Sequence, residues 1–320
     1  MGRFIFKRLC IAIPIIFFLS FITLVLINIV PGNYFDQLRM NPQIGEEVIQ
    51  QYEEKFHIND NVFVQYLYWI KGIVHLDFGY SFTYQAPVFS LIKTRLWNTF
   101  LLSFSAFLIS WCIAIPLGTL AAYKKNSAFD RIFLSLSYVF LSVPGFFLAI
   151  LIMFMCAHWT ALPLGGMRSI YYEELNFLGK LVDVLRHMIV PLVVVTVGST
   201  CYLFRLMRSH VLDVLRQDYI RILHIRQIPK RVIIFKHVLR NALNPLITLL
   251  GYQLPALFSG AALTEIITGW PGLGSMMLFA VRSQDIFLVM GNMLMISFLL
   301  VIGNMMADIL LAVTDPRIRY

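Results

Sequence analysis

The sequence predicts an all-α polytopic membrane protein with six transmembrane helices and both termini cytoplasmic. Three observations predict it. Apolar residues make up 59% of the chain and charged residues only 13%, about half the charged share of soluble proteins. Six apolar runs reach or approach the roughly 20 residues that a helix needs to cross a bilayer. Lysine and arginine gather in alternate connections, the bias that marks cytoplasmic loops.

The runs are Leu9–Val30, Thr99–Tyr123, Ile132–Ala157, Met188–Phe204, Leu246–Leu263 and Ile286–Val313. Lipid offers no partner to backbone N–H and C=O groups, so each run is a helix. The first is expected to stay in the protein, because its apolar stretch is long and no small-residue cleavage site follows at Asn28–Tyr34. Arg3, Lys7 and Arg8 precede it, Lys124, Lys125 and Arg131 separate the second and third runs, and Arg317 and Arg319 end the chain. A basic stretch from Arg205 to Arg240 separates the fourth and fifth. With six spans all of these fall on one side. The opposite-side segment 31–98 carries Asp36, Glu46, Glu47, Glu53, Glu54, Asp60 and Asp77. The net charge of +9 is therefore a topology signal, and nucleic acid is not an expected partner.

One membrane domain covers residues 1–320, with an extracytoplasmic insertion at 31–98, a cytoplasmic loop at 205–245 and an extracytoplasmic turn at 264–285. In the insertion, Glu46–Phe56 is polar and helix-like. Val62–Val74 places Phe63, Tyr66, Leu67, Trp69, Ile70 and Ile73 at helical spacing, as in a helix on the bilayer surface. Asp77–Phe78–Gly79 is a turn signal. Pro14, Pro116, Pro144–Gly145, Pro191 and Pro255 interrupt the spans; each is expected to make a static packing kink.

Cys10, Cys112, Cys156 and Cys201 lie in apolar runs at spacings that fit no zinc or redox motif. They read as inert buried thiols, and no metal site is expected. No phosphate-binding Gly-x-x-x-x-Gly-Lys-[Ser/Thr] loop occurs, nor His-Glu-x-x-His, nor Gly-x-Ser-x-Gly. Ionisable residues at mid-membrane are few, with Asp308 near the cytoplasmic end of the last span. An ion-coupled carrier needs such residues. The chain has the body of a transporter and no evident motor, so an external ATPase is expected, docked on the basic loop. Taken alone, the loop's charges favour a segment that merely fixes topology by attracting anionic lipid.

Five stretches, in order, resemble the inner-membrane permease subunits of bacterial ATP-binding-cassette importers, in the dipeptide, oligopeptide and nickel branch. They are Phe6–Arg8 with Ile13–Pro14 and Val30–Gly32; Lys55–Asp60 with Gln65–Tyr66, Trp69 and Asp77–Ser81; Asp218–Arg221 with Arg240–Pro245; Glu265–Gly274; and Asp315–Tyr320. The resemblance covers essentially the whole chain. It implies the type I importer permease fold in the bacterial inner membrane. It also implies a homologous second permease subunit, two cytoplasmic ATP-binding subunits that hold ATP and Mg, and an extracytoplasmic substrate-binding protein. No cofactor is expected on this chain itself.

The resemblance assigns ATPase coupling to Asp218, Tyr219, Ile220, Arg221, Leu223, Gln227 and Arg231. Two short helices, Val211–His224 and one starting at Lys230–Leu239 after a break at Pro229, would seat in a groove of the ATPase. Leu223 stands where the family carries alanine, Gln227 where it carries glycine, and Asn244 where it carries an apolar residue. A left-handed glutamine costs on the order of 1 kcal/mol. Glu265, Gly269, Pro271, Gly272 and Gly274 form either a gate that faces the binding protein or a purely structural hairpin. Asp77, Phe78 and Gly79 are expected to face the binding protein, with interfacial packing as the alternative for the 31–98 segment. The expected function is half of a translocation pathway for short peptides, with nickel chelates or another small solute as alternative cargo. A membrane-embedded scaffold or enzyme is the remaining alternative, and no catalytic cluster supports it.

Overall fold

The structure, a computed structural model, describes residues 2–32, 34–39, 45–55, 57, 60–159, 162–259 and 262–314. The predicted positions Phe56, Ile58, Asn59 and Asp315–Tyr320 lie outside the described residues. Helix α1 spans Gly2–Ile29. The insertion follows as α2 (Tyr34–Arg39), α3 (Glu46–Lys55), α4 (Val62–Val74) and a two-residue antiparallel pair, β1 (Tyr80–Ser81) with β2 (Ala86–Pro87). Then come α5 (Val88–Tyr123), α6 (Ala128–Ser142), α7 (Gly145–Trp159), a 3₁₀ turn at Tyr172–Glu174 and α8 (Phe177–Leu215). The chain ends with α9 (Asp218–Ile225), α10 (Lys230–Val232), a π-helical segment at Ile233–Val238, α11 (Leu239–Ser259), α12 (Ala262–Thr268), α13 (Leu273–Arg282) and α14 (Ile286–Thr314).

Among the described residues, Cys10–Asp36, Val88–Tyr123, Phe177–Leu215 and Ile286–Ile309 are long and apolar enough to cross a membrane. They contain the second and fourth predicted runs, all but Leu9 of the first and most of the sixth. The fifth run coincides largely with α11, whose 21 residues continue through position 255. The third run departs from expectation. It is a helix pair, α6 and α7, bent by 103°. Pro144 causes the break: it has no N–H to donate, and its ring drives Val143 into an extended conformation (φ −87°, ψ 122°). So Pro144 is a corner, whereas Pro14, Pro116 and Pro191 sit inside continuous helices.

The centre of the molecule is the α5–α8 pair. Ala114, Gly118, Ala121 and Ala122 are buried along α5, and small residues let two helix backbones approach closely in lipid. Asp130, which begins α6, is buried and accepts from Arg208 of α8 at 2.6 and 2.7 Å. Arg205 lies over the Tyr138 ring at 4.4 Å. Arg208 therefore fastens α6 to α8 and is withdrawn from the outward basic surface, while Arg205 stays exposed beside the Tyr138 ring. The four cysteines form no disulfide; only Cys156 is buried, while Cys10 and Cys112 are exposed on apolar helices.

In the insertion, Arg39 gathers Asp36 (2.8 Å), Glu46 (3.3 Å) and the buried Glu53 (2.8 Å), tying α2 to α3. Helix α4 turns Trp69 into a core with Leu24 and Met290, and leaves Phe63 and Leu67 exposed. Trp69 is thus a packing residue rather than an interface anchor. Asp285, fully buried, accepts from Ser81 Oγ (2.7 Å) and the Thr83 amide (3.1 Å), and so locks the β1–β2 hairpin to the start of α14.

Candidate functional site

Residues 205–245 differ in layout from the two helices predicted for them. Val211–Leu215 belongs to the end of α8, which runs unbroken from Phe177. The separate helix is α9 alone, from Asp218 to Ile225. Gln217 precedes it in extended conformation, and Asp218 favours the positive end of the helix dipole. The reason is packing: Met207 and Val211 are buried in one cluster with Ile220, Ile233, Val238 and Leu246, which keeps the last turns of α8 helical.

Helix α9 is amphipathic with its faces sharply divided. Ile220 is 1% exposed and seats the helix on that cluster. Ile222 is 50% and Ile225 79% exposed. Tyr219 accepts from Asn241 Nδ2 at 2.7 Å, a second tether to α11. Asp218 and Arg221 lie 3.6 Å apart, both well exposed, where an ion pair adds little. Arg216, Arg221, Arg226, Lys230, Arg231, Lys236 and Arg240 are all exposed. Of the residues assigned to coupling, Ile220 therefore supports α9 from within. Asp218, Tyr219, Arg221, Gln227 and Arg231 face outward, and Leu223 is half-buried.

The C-terminus of α9 closes as a Schellman motif. The Ile228 amide donates to the Leu223 carbonyl (3.2 Å) and the Gln227 amide to that of His224 (3.0 Å). The motif needs a left-handed residue between, and Gln227 takes it at φ 57°. The position is one for which glycine is suited. Pro229 then starts α10, and the π-helical segment carries the chain into α11.

The Glu265–Gly274 turn is the other candidate. Glu265, on α12, is fully buried. Its carboxylate accepts from Thr99 Oγ1 (2.7 Å), the Gly274 amide (2.8 Å) and the Ser275 amide (3.3 Å). Two of these donors are in the first turn of α13, so an acid from α12 caps the next helix. Burial pushes the Glu265 carboxyl above its ordinary value, against the Thr99 hydroxyl, the two amides and Arg95, which favour its charged form. The Leu273 amide donates to Thr99 Oγ1 (2.8 Å), Asn98 Nδ2 to the Pro271 carbonyl (2.8 Å), and the fully buried Trp270 indole to the Asn98 carbonyl (3.0 Å). A Cβ at Gly272 would collide with the Glu265 carboxylate, and one at Gly274 with Ala262. Gly269 is left-handed at φ 64°. Glycine is thus required at all three places. Asn98 and Thr99 belong to no motif in the sequence; a polar pair opening an apolar run is the signal that marks them.

In the third place, Gly79 is left-handed (φ 89°) and its amide donates to Asp77 Oδ1 (2.9 Å), as in an Asx turn. Phe78 is buried in the core with Val88, Ile92 and Leu273. Only Asp77 of the three has an exposed side chain.

Comparison with known proteins decides the family. Residues 114–320 match the family described as binding-protein-dependent transport system inner membrane component, and residues 1–103 match the N-terminal part of such membrane components. The chain belongs to this family. It is a transport component of the bacterial inner membrane, crossing it several times, and not itself an enzyme. It is 36% identical over 322 residues to the oligopeptide transport system permease protein AppB of Bacillus subtilis (strain 168), covering 100% of each chain. It is 31% identical over 337 residues to the dipeptide transport system permease protein DppB of Escherichia coli (strain K12), covering 100% of this chain and 99% of that one. Among solved structures, an inward-facing form of the MetNI methionine ABC transporter superposes with a TM-score of 0.53 at 16% identity, covering 71% of this chain and 97% of that one. That likeness bears on the fold of this permease component alone.

Proposed function

We propose that this chain is the permease subunit of an ATP-driven importer of short peptides. It forms half of the translocation pathway, beside a homologous second permease subunit. Both of its termini are cytoplasmic, on the side of the basic loop. Two cytoplasmic ATP-binding subunits, which hold ATP and Mg, supply the power. An extracytoplasmic binding protein delivers the peptide.

The single observation that carries the reading is α9. It is held to the body by Ile220 and Tyr219, yet among the described residues Ile222 stays half exposed and Ile225 largely so. A short helix seated at its base and bare on its outer face suits insertion into a groove of another subunit. The basic side chains around it suit an acidic rim on that groove, which speeds association. The peptide cargo rests on the full-length likeness to the two named peptide permeases. The Glu265 turn acts on the outer side as a rigid end-piece of the pathway, and Asp77 marks the neighbouring surface for the binding protein.

The test is purification of the tagged chain in mild detergent from its native host, with identification of what accompanies it. A second permease and ATP-binding subunits are expected. Ile225→Asp is expected to cost the ATP-binding subunits while the second permease stays. Unchanged recovery of the ATP-binding subunits with that variant would remove α9 from the coupling role. Uptake of labelled tripeptide by vesicles holding the whole complex tests the cargo, with a nickel chelate as the rival solute.

A further inference from the structure

We propose that a polar recess at mid-height of α5, α8 and α11 is one wall of a contact site for the cargo's peptide backbone. It would recognise that backbone by neutral hydrogen bonds. This rests on the peptide-import reading above and adds where, and by what chemistry, the pathway touches its cargo.

The recess has a volume of about 220 Å³. Its polar groups come from Ser103, Ser110 and Trp111 of α5, Ser199 of α8 and Gln253 of α11, set in an otherwise apolar lining that includes Phe107 and Leu203. The α5 positions follow the i, i+4, i+7, i+8 spacing of one helix face. Neighbouring outward positions on the same two long helices are apolar and exposed: Phe104 and Leu108 on α5, Ile189 and Val193 on α8. The hydroxyls of Ser103, Ser110 and Ser199 thus lie on faces of the two helices distinct from the lipid-type ones. Hydroxyl and amide groups at this depth are costly against hydrocarbon, and they belong where protein or a polar occupant meets them.

Part of that polarity is already used. Ser110 donates to the Thr196 carbonyl (3.4 Å), and Trp111 Nε1 donates to Gln253 Oε1 (2.9 Å). The Trp111 bond fixes the Gln253 amide between α5 and α11. It leaves the amide NH₂ group, with the hydroxyls of Ser103 and Ser199, for an occupant. These groups donate and accept, as a peptide bond accepts and donates. No lining residue is ionisable, so a bare ion entering would shed water against no countercharge, which is costly. Every short peptide presents the same backbone amides, whatever its side chains carry. The site would thus serve many sequences alike. Its volume falls below the ~300–1,000 Å³ of a complete small-ligand pocket, which fits one wall with the second permease supplying the other.

Single cysteines at Ser103 and Ser199, placed in a chain whose four native cysteines are replaced, test this in membranes that hold the whole complex. Tripeptide import by that cysteine-free chain is measured first; its absence would sink the peptide-import reading itself. With import present, a charged, water-soluble methanethiosulfonate reagent is expected to modify Ser103→Cys and Ser199→Cys. It should leave Leu108→Cys, on the lipid-type face, unmodified. Trialanine with binding protein and ATP should slow modification at both recess positions about tenfold. No modification there would mean that the recess is sealed by helix packing, and modification that trialanine does not slow would mean a wet cleft without cargo contact. Either result overturns the proposal. The Ser103→Ala, Ser199→Ala double variant should lower import about tenfold, since each hydrogen bond contributes a small factor, while binding-protein-stimulated ATP hydrolysis stays near wild type. Import at the wild-type rate would also overturn it.

Discussion

The α9 segment and the Glu265 turn are both short helical corners between long helices, and they are built on opposite principles. The turn spends every strong polar group inside the chain. Glu265, Thr99, Asn98 and Trp270 satisfy one another, and Glu265 and Trp270 have no solvent exposure. Helix α9 has one fully buried residue, Ile220, and leaves Ile222 half exposed and Ile225 largely exposed. A corner locked by buried hydrogen bonds cannot easily change shape, because each broken bond strands a buried group. A corner resting on one fully buried side chain, Ile220, with an exposed hydrogen bond from Asn241 to Tyr219 as its other tether, can tilt. The first suits a fixed end-piece, the second a lever gripped from outside.

Substitutions can break this comparison. The largest effect is expected at Gly272→Ala. Its Cβ has no room beside the Glu265 carboxylate, and the overpacking should cost roughly 3 kcal/mol or more. Melting in detergent should fall sharply; a melting point within error of wild type would mean that the turn yields and is not locked. Ile220→Ala comes next, at ~2–3 kcal/mol, in the lower range for emptying a buried isoleucine. The loss should stay local, seen as faster hydrogen exchange in α9 with the turn unchanged. Exchange rising equally in both corners would erase the distinction between them. Ile225→Asp, by contrast, should leave stability within ~0.5 kcal/mol.

A smaller effect is expected from pH. Burial raises the Glu265 carboxyl above its ordinary value of 4.5. A raised carboxyl stabilises the folded state below its unfolded value, and that contribution disappears as pH rises through the folded one. The wild-type melting point should therefore drift down from about the ordinary value of a carboxyl upward, and Glu265→Gln should flatten that drift. A drift that survives the substitution would place the titrating group elsewhere. The smallest effect belongs to Gln227→Gly. It relieves a left-handed glutamine in the Schellman motif, and should raise α9 stability by at most ~1 kcal/mol. A loss on that substitution would mean that the glutamine side chain holds the turn.

Much of this was legible in the chain. Length and composition of the apolar runs give helices wherever backbone groups must pair in lipid, and four of the six runs appear as unbroken spans with extensions. Gln227 was legible because a glycine position filled by another residue still demands the left-handed conformation. The site was less so. Nothing local in Asp218–Arg221 distinguishes the seat, Ile220, from the outward residues beside it, since which face of a short helix is buried depends on what lies beneath. Phe78 belongs to a turn signal yet packs in the core, for the same reason.

By itself the sequence determined the helical class, the side on which basic residues gather, the position of the corners at Pro229 and Gly269, and the family motifs. These depend on local rules: backbone pairing in lipid, allowed φ, and the missing N–H of proline. Only the tertiary structure decided that Pro144 bends the third run through 103°, that Arg208 fastens a buried Asp130, that Glu265 meets Thr99 from 166 residues away, and that serines and a glutamine on three helices share one recess. Each of the last three is a contact between residues far apart in the chain. Its free energy exists only after the helices have packed, so no local pattern carries it.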